Sequence, residues 1–177
     1  MSGRAWLAVI GTTVLCACAS AHPVMVGRQE ANITLPEEPG SLIQMKRDGC
    51  PDQPCPVYGI SIFPDGSAIY DGRANVGVVG RRATRVSARD LNALISTLDA
   101  MDFLDSPDKC CLCGEMTSSS LVTVTYRPGT VAKTVIHDER CATAPAAVSD
   151  LERQIDRVTG AGRLAARPDL RSNGHRG

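Results

Sequence analysis

The chain lacks an excess of charge of either sign. It contains 19 basic and 19 acidic residues, so its formal net charge is zero. Proteins that bind nucleic acid or anionic lipid by electrostatic attraction concentrate positive charge on one surface. The balanced composition argues against such a protein, and we predict that nucleic acid is not a partner. Aromatic residues make up only 3% of the chain, which leaves aliphatic side chains to form the core.

The familiar sequence signatures of cofactor binding and catalysis are also missing. The glycine-bearing stretch 75–80 lacks the Gly-Lys-Ser/Thr ending of a phosphate-binding loop, so we interpret it as a bent strand. His137, Asp138 and Glu139 offer a base and two carboxylates. However, no nucleophile elbow accompanies them, and consecutive strand residues point to opposite faces. We interpret them as solvated residues at a strand end, and we predict no catalytic residue, metal ion or cofactor.

The apolar stretch near the N-terminus is too short to span a membrane as a stable anchor. It follows Arg4 and ends in small residues, which is typical of a secretory signal. The segment Leu15-Cys16-Ala17-Cys18 resembles the bacterial lipobox, in which cleavage before the last cysteine exposes a residue that is then acylated, for example with palmitate. We therefore predict a lipoprotein signal peptide at residues 1–17 and lipidation of Cys18.

A lipidated Cys18 predicts a bacterial cell-envelope protein, with the membrane as its partner through the anchor. Residue 19 is alanine and not aspartate, which by resemblance to enterobacterial sorting indicates the periplasmic face of the outer membrane. Residues 18–40 are predicted to carry the lipidated cysteine and a flexible tether, because they are polar, contain prolines and show no apolar period. The alternative is an ordinary secretory peptide cut near residues 19–21, which would make the protein secreted.

Apolar periodicity predicts a single α+β domain over residues 41–160. Alternating apolar and polar residues predict about five to six strands, and turn residues such as Pro64-Asp65-Gly66 predict hairpins between them. The strands are expected near 42–47, 58–62, 68–70, 75–86, 122–126 and 131–137. The stretches 87–104 and 145–160 have helical spacing and one apolar stripe each. We predict an antiparallel sheet covered on one face by these two amphipathic helices, followed by a disordered tail at 161–177.

The order of several short motifs resembles an uncharacterised bacterial family. The motifs are Cys50…Cys55-Pro56-x-Tyr58, the hairpin Ile62-Phe63-Pro64-Asp65-Gly66, Tyr70-x-Gly72 and Leu151-Glu152-x-x-Ile155-Asp156. Together they resemble a family of domains of unknown function found in envelope lipoproteins and secreted proteins. The family has no assigned activity, so the resemblance implies an envelope module and no catalytic residue. The first cysteine loop is one residue longer here than in the family.

Six cysteines remain outside the predicted signal region. They are Cys50, Cys55, Cys110, Cys111, Cys113 and Cys141. Because disulfides persist in exported proteins, structural bridges are the default interpretation. We predict that the first two form one bridge. The other four allow three connectivities. Cys110–Cys113 with Cys111–Cys141 is the least strained of them, and the sequence does not decide among the three.

The later cysteines also allow two chemical alternatives. Cys110, Cys111, Cys113, His137 and Cys141 are ligands that suit zinc. The first three are too closely spaced for the usual Cys-x2-Cys pairs of closed zinc sites. Cys110-x-x-Cys113 has the spacing of a redox-active pair, but it follows a predicted helix instead of opening one. We therefore favour bridges over a metal site or thiol exchange.

Two classes of function stay open. We expect a bacterial envelope lipoprotein with a non-catalytic binding or structural module, acting with an envelope protein partner that the sequence does not identify. The alternative is a small envelope enzyme or thiol oxidoreductase that uses Cys110 and Cys113, or His137. The first class is favoured because turns, bridges and core packing account for the distinctive residues of the chain.

Overall fold

A mostly antiparallel sheet is the centre of the fold. The computed structural model describes residues 35–50, 54–110, 120–139 and 146–167. The strands are β1 (Ile43–Arg47), β2 (Val57–Ile62), β3 (Ser67–Ala74), β4 (Gly80–Arg85), β5 (Lys109–Cys110), β6 (Leu121–Tyr126) and β7 (Lys133–Asp138). Within these described ranges the seven strands form one sheet in the order β4-β3-β2-β1-β6-β7-β5. Neighbours pair antiparallel, except that the two-residue β5 lies parallel to β7.

Inward-facing residues of adjacent strands form rows across the sheet. Met45 of β1 lies opposite Ile60 of β2 and Val124 of β6, and Ile60 lies opposite Tyr70 of β3. Each of these side chains is at most 1% exposed. Because successive strand residues point to opposite faces, the positions between them face the other side. The alternation seen in the sequence therefore produces one apolar face.

Two helices cover that apolar face. Helix α1 (Ala88–Ala100) begins after Ser87, whose hydroxyl accepts a hydrogen bond from the backbone N–H of Asp90 at 3.1 Å. Helix α2 (Ala146–Thr159) ends at Gly160, where φ is 75°, a conformation that favours glycine. Both helices contribute to the same core as the sheet, through Leu91, Leu94, Leu98, Leu151 and Ile155. The predicted α+β architecture, with both helices on one face, is confirmed.

The stretch 75–79 is a loop between β3 and β4, which corrects its interpretation as a bent strand. The loop bonds to the chain that follows α2, since the backbone N–H of Gly77 donates to the carbonyl of Ala165 at 3.1 Å. A Cβ atom at Gly77 would lie 2.3 Å from the carbonyl oxygen of Ala166. The glycine therefore allows a close backbone approach and does not serve a strand.

The predicted disordered tail is wrong for residues 161–167. A third helix, α3 (Ala161–Ala165), starts directly after Gly160. Ala161 is fully buried and Ala165 is 9% exposed. Two alanines give little hydrophobic signal in a sequence, but their small size lets α3 approach the loop 75–79 closely. The remaining tail residues lie outside the part of the chain that the structure describes.

The end of the predicted tether also belongs to the folded domain, which corrects its boundary. Residues 35–41, called here the N-terminal strap, lie on the sheet face opposite the helices. Leu35 is 3% exposed and occupies the space above Gly59, and the side-chain amide of Gln44 donates to a strap carbonyl at 3.0 Å. A single leucine in contact with a glycine leaves no apolar period to detect. The rest of the tether prediction, residues 18–34, lies outside the described ranges.

The predicted Cys50–Cys55 disulfide is present, with Cα atoms 5.3 Å apart, which is within the usual disulfide range. It closes the connection between β1 and β2 immediately before Pro56, so it restrains the chain at the entrance to β2. The other predicted bridges, the zinc alternative and the redox alternative stay predictions. They depend on cysteines outside the described residues, namely Cys111, Cys113 and Cys141.

Candidate functional site

A row of polar side chains crosses the helix-covered face of the sheet next to the row of Met45. It runs from His137 of β7 through Val122 of β6 and Arg47 of β1 to Tyr58 of β2, each residue lying opposite the next. Arg47 is 7% exposed, Tyr58 3% and His137 2%. Strand register thus brings three polar residues that are distant in sequence together beneath α2.

Helix α2 supplies two carboxylates to the same place. Glu152 and Asp156 are four residues apart and therefore lie on one face of the helix, beside the buried Leu151 and Ile155. Glu152 is buried, and the side chain of Asp156 is 18% exposed. Because α2 packs on the sheet through its apolar stripe, the neighbouring carboxylates meet the polar row.

Arg47 is the centre of the resulting network. Its Nε donates to the hydroxyl of Tyr58 at 2.8 Å. Its Nη2 donates to Asp156 at 3.1 Å and lies 4.0 Å from Glu152. Its Nη1 donates to Glu139, directly after β7. The hydroxyl of Tyr58 donates in turn to Asp156 at 2.7 Å. One guanidinium therefore connects β1, β2, the end of β7 and α2.

His137 is buried and paired, which corrects its interpretation as a solvated strand-end residue. Its Nδ1 lies 2.8 Å from a carboxylate oxygen of Glu152. Its Nε2 is buried without a hydrogen-bond partner in the described part of the chain. The prediction failed because β7 has neighbours on both sides and α2 above it. The predicted alternation holds, since Glu139, two residues further on, reaches the same network.

Burial raises the pKa of both helix carboxylates. For Asp156, loss of hydration raises the pKa above its ordinary value of 3.8, and the positive charge of Arg47 offsets this only in part. For Glu152, burial is again the largest cause of the raised pKa, partly offset by the hydrogen bond with His137. Three carboxylates, including that of Glu139, thus share one guanidinium.

We expect the raised pKa of Asp156 to lower the free energy of unfolding as the pH rises. A group with a higher pKa in the folded state binds its proton more tightly there. Its stabilising effect is therefore complete below the unfolded value near 3.8 and is lost as the pH rises through the folded value. Asp156→Asn removes this effect. Urea unfolding of both proteins between about pH 4 and pH 7 should show the parent losing stability relative to the variant. A constant or opposite difference would contradict the raised pKa.

A cavity of about 290 Å³ adjoins the network and opens to solvent. Its lining is partly polar and partly apolar: Arg47, Tyr58, Glu139 and Asp156 supply polar groups, and Pro56, Gly162, Ala165 and Ala166 supply mainly apolar surface. Its volume is near the lower end of small-ligand sites, which measure about 300–1,000 Å³. Among the described residues, no group of three or more His, Cys, Asp or Glu side chains is arranged to hold a metal ion.

The cavity brings together residues from two motifs that are almost a hundred positions apart. Pro56 and Tyr58 belong to the cysteine-proline-tyrosine motif, whereas Asp156 belongs to the motif in α2. Both motifs are visible in the sequence, but the sequence alone did not predict that they meet in space. Sequence reasoning missed Arg47 as a site residue altogether. The sequence did contain a clue. Arg47 lies two residues after Met45 in the predicted strand and therefore faces the same side of the sheet. A charged residue on a covered face needs a charged or polar partner.

The fold and the site define a small α+β module with a buried ion network beside a cavity. A family model described as Domain of unknown function (DUF6438) matches residues 41–159. The match covers well over half of the chain, so the protein belongs to this family, and the resemblance to an uncharacterised family is confirmed. No curated protein matches the chain. Across the described ranges, none of the helices has the length and apolar character needed to cross a membrane.

Proposed function

We propose that the protein is a bacterial envelope lipoprotein whose α+β domain binds a ligand in the cavity beside Arg47. The observation that carries the binding role is the meeting of the two motifs at this cavity. Pro56 and Tyr58 come from one motif and Asp156 from the other. A motif that only stabilised the core would be expected to supply apolar side chains, whereas Tyr58 and Asp156 supply polar groups to a cavity that opens to solvent.

The chemistry of the cavity wall supports binding over catalysis. A hydroxyl, thiol or amine nucleophile is activated by an adjacent base, and no Ser, Cys, Thr or Lys side chain is among the described lining residues of the cavity. Among the described lining residues, all four polar side chains take part in the network, as donors or acceptors to one another. The wall is therefore a fixed set of charges, which suits recognition.

The N-terminal sequence supports a location in the cell envelope. Its lipobox-like ending would direct the acylation of Cys18. Residues 18–34 would then link this anchor to the folded domain, which includes Leu35. The domain would then act at the periplasmic face of the outer membrane, where it could also meet an envelope protein partner.

We expect Cys18→Ser to move the protein out of the membrane fraction. The variant lacks the thiol that carries the lipid, and no other membrane anchor is proposed. Cells producing each form are labelled with radioactive palmitate and fractionated. Cys16→Ser is the matched control, because it changes the neighbouring cysteine and leaves the acylated residue in place, so it should stay labelled and membrane-bound. Retention of Cys18→Ser in membranes would contradict the anchor.

Two observations favour the alternative, a small enzyme or thiol oxidoreductase that uses Cys110 and Cys113, or His137. The contact of His137 Nδ1 with Glu152, with Nε2 unpartnered in the described ranges, is the arrangement of a base oriented by a carboxylate. In the sheet register, Cys110 lies opposite His137. Loss of the biological role in His137→Gln, with the fold and ligand binding preserved, would favour the enzyme.

A further inference from the structure

We propose that the cavity beside Arg47 binds an alkylammonium group, presented either by a free amine or by the side chain of a lysine. The inference rests on the proposed binding function of this cavity and adds the class of ligand. Three features carry it: the charge of the network beside the cavity, the remaining hydrogen-bonding capacity of the lining carboxylates, and the apolar part of the lining.

The charge balance of the network favours a cation. Arg47 contributes one positive charge, whereas Glu139, Glu152 and Asp156 contribute three negative charges when ionised. Counted over the described ion pairs of the network, the excess is two negative charges with His137 neutral and one with His137 protonated. Because a buried charge without a counter-ion is costly, a cation that enters the cavity is stabilised and an anion is repelled.

The carboxylates retain capacity for further hydrogen bonds. An ionised carboxylate accepts about four hydrogen bonds. Among the described hydrogen bonds, one is accepted by Glu139 and two by Asp156. Glu139 follows β7 and Asp156 lies on α2, so their acceptors approach the cavity from different directions. Such a wall suits the three divergent N–H donors of an ammonium better than a planar guanidinium fork.

The remaining surface of the cavity suits an organic stem. Pro56, Ala165 and Ala166 also line the cavity, so methylene groups can pack on them while the charged end contacts the polar groups. A volume of about 290 Å³ is much larger than a bare metal ion requires. The site therefore offers both the acidic acceptors and the apolar surface that an alkylammonium ligand needs.

The test is isothermal titration calorimetry on the full chain with three five-carbon probes: pentylamine, 1-pentanol and pentanoate. We expect pentylamine to bind at least about tenfold more tightly than 1-pentanol, and pentanoate to bind most weakly. Added salt should lower the affinity for pentylamine. If the alcohol or the carboxylate bound as tightly as the amine or more tightly, the assignment of an ammonium ligand would be wrong, but the cavity would still be a binding site. No binding by any of the three would overturn the inference and count against the proposed function as well.

Three variants that should fold test whether the amine binds in this cavity. Glu139 is 39% exposed at its side chain, so Glu139→Gln should fold and lose about tenfold or more of the amine affinity. Asp150→Asn, on the exposed side of α2, is the matched control and should bind as the parent does. In Ala166→Lys the new side chain can occupy the cavity itself, so amine binding should disappear. Unchanged binding in Glu139→Gln and Ala166→Lys would overturn the assignment.

The two sources of the ammonium are separated by a second pair of ligands. 1,5-Diaminopentane represents a free amine, and a five-residue peptide with one central lysine represents a protein partner. Preference for the diamine indicates a small-molecule ligand, and preference for the peptide indicates a lysine of a partner. In either case the same peptide with acetylated lysine should not bind, and its binding would contradict an ammonium site.

Discussion

Arg47→Met should be among the most destabilising substitutions in the domain, lowering the free energy of unfolding by about 3–5 kcal/mol. The methionine fills much of the volume of the arginine stem, so the loss comes mainly from charge. Without the guanidinium, Glu152 and Asp156 lose the arginine of their described ion pairs, in which the other basic partner is His137 beside Glu152. The carboxylates can then be neutralised only by taking up protons, so the loss should be larger at pH 7 than at pH 5. Urea unfolding at both pH values measures it.

Two further variants separate charge from packing. Arg82 is exposed on the edge strand β4 and bonds only to a neighbouring backbone carbonyl among the contacts described, so Arg82→Met should change stability by no more than about 0.5 kcal/mol. Adding Asp156→Asn and Glu152→Gln to Arg47→Met removes the unpaired charges and should recover part of the stability. No recovery, or a pH-independent loss, would show that Arg47 acts through packing alone.

Leu151→Ala should be the second large effect, with a loss of about 2–5 kcal/mol. Leu151 is fully buried between α2 and the sheet, and alanine would leave a cavity that the surrounding strands can fill only in part. The substitution keeps a good helix former, so helix propensity does not contribute. Thermal and urea unfolding measure the loss.

The matched control lies two positions away on the same helix. Arg153 is 64% exposed at its side chain and pairs only with exposed Asp150 among the contacts described, so Arg153→Ala should change stability by no more than about 0.5 kcal/mol. A small loss in Leu151→Ala together with a large one in Arg153→Ala would mean that α2 presents a different face to the sheet.

Elements with one regular apolar face could be predicted from the sequence. In β6, Val122 and Val124 alternate with polar residues, and the buried row follows directly from that alternation. In α2, the spacing of Leu151 and Ile155 specifies the face that meets the sheet. Local turn chemistry at Gly66 and Gly160 was equally informative, because both adopt a positive φ.

The polar network escaped prediction because its determinants are not local. Arg47 and Asp156 are separated by 109 positions, and only the sheet register and the docking of α2 bring them together. Periodicity treats a charged residue as solvent-facing, so Glu152 beside the apolar stripe of α2 counted as surface. The strap and α3 were missed for a related reason, since each packs closely against a glycine that is distant in sequence.

The most direct test of a binding site beside Arg47 is a two-dimensional ¹H–¹⁵N NMR titration of the full chain with pentylamine. If the cavity is the site, the largest chemical-shift changes should occur at the backbone amides of its lining residues, such as Tyr58, Glu139, Asp156 and Ala166. They should be absent from Ala166→Lys. Changes centred on the groove between α1 and α2, which includes Thr97 and Ala147, or no changes at all, would contradict it.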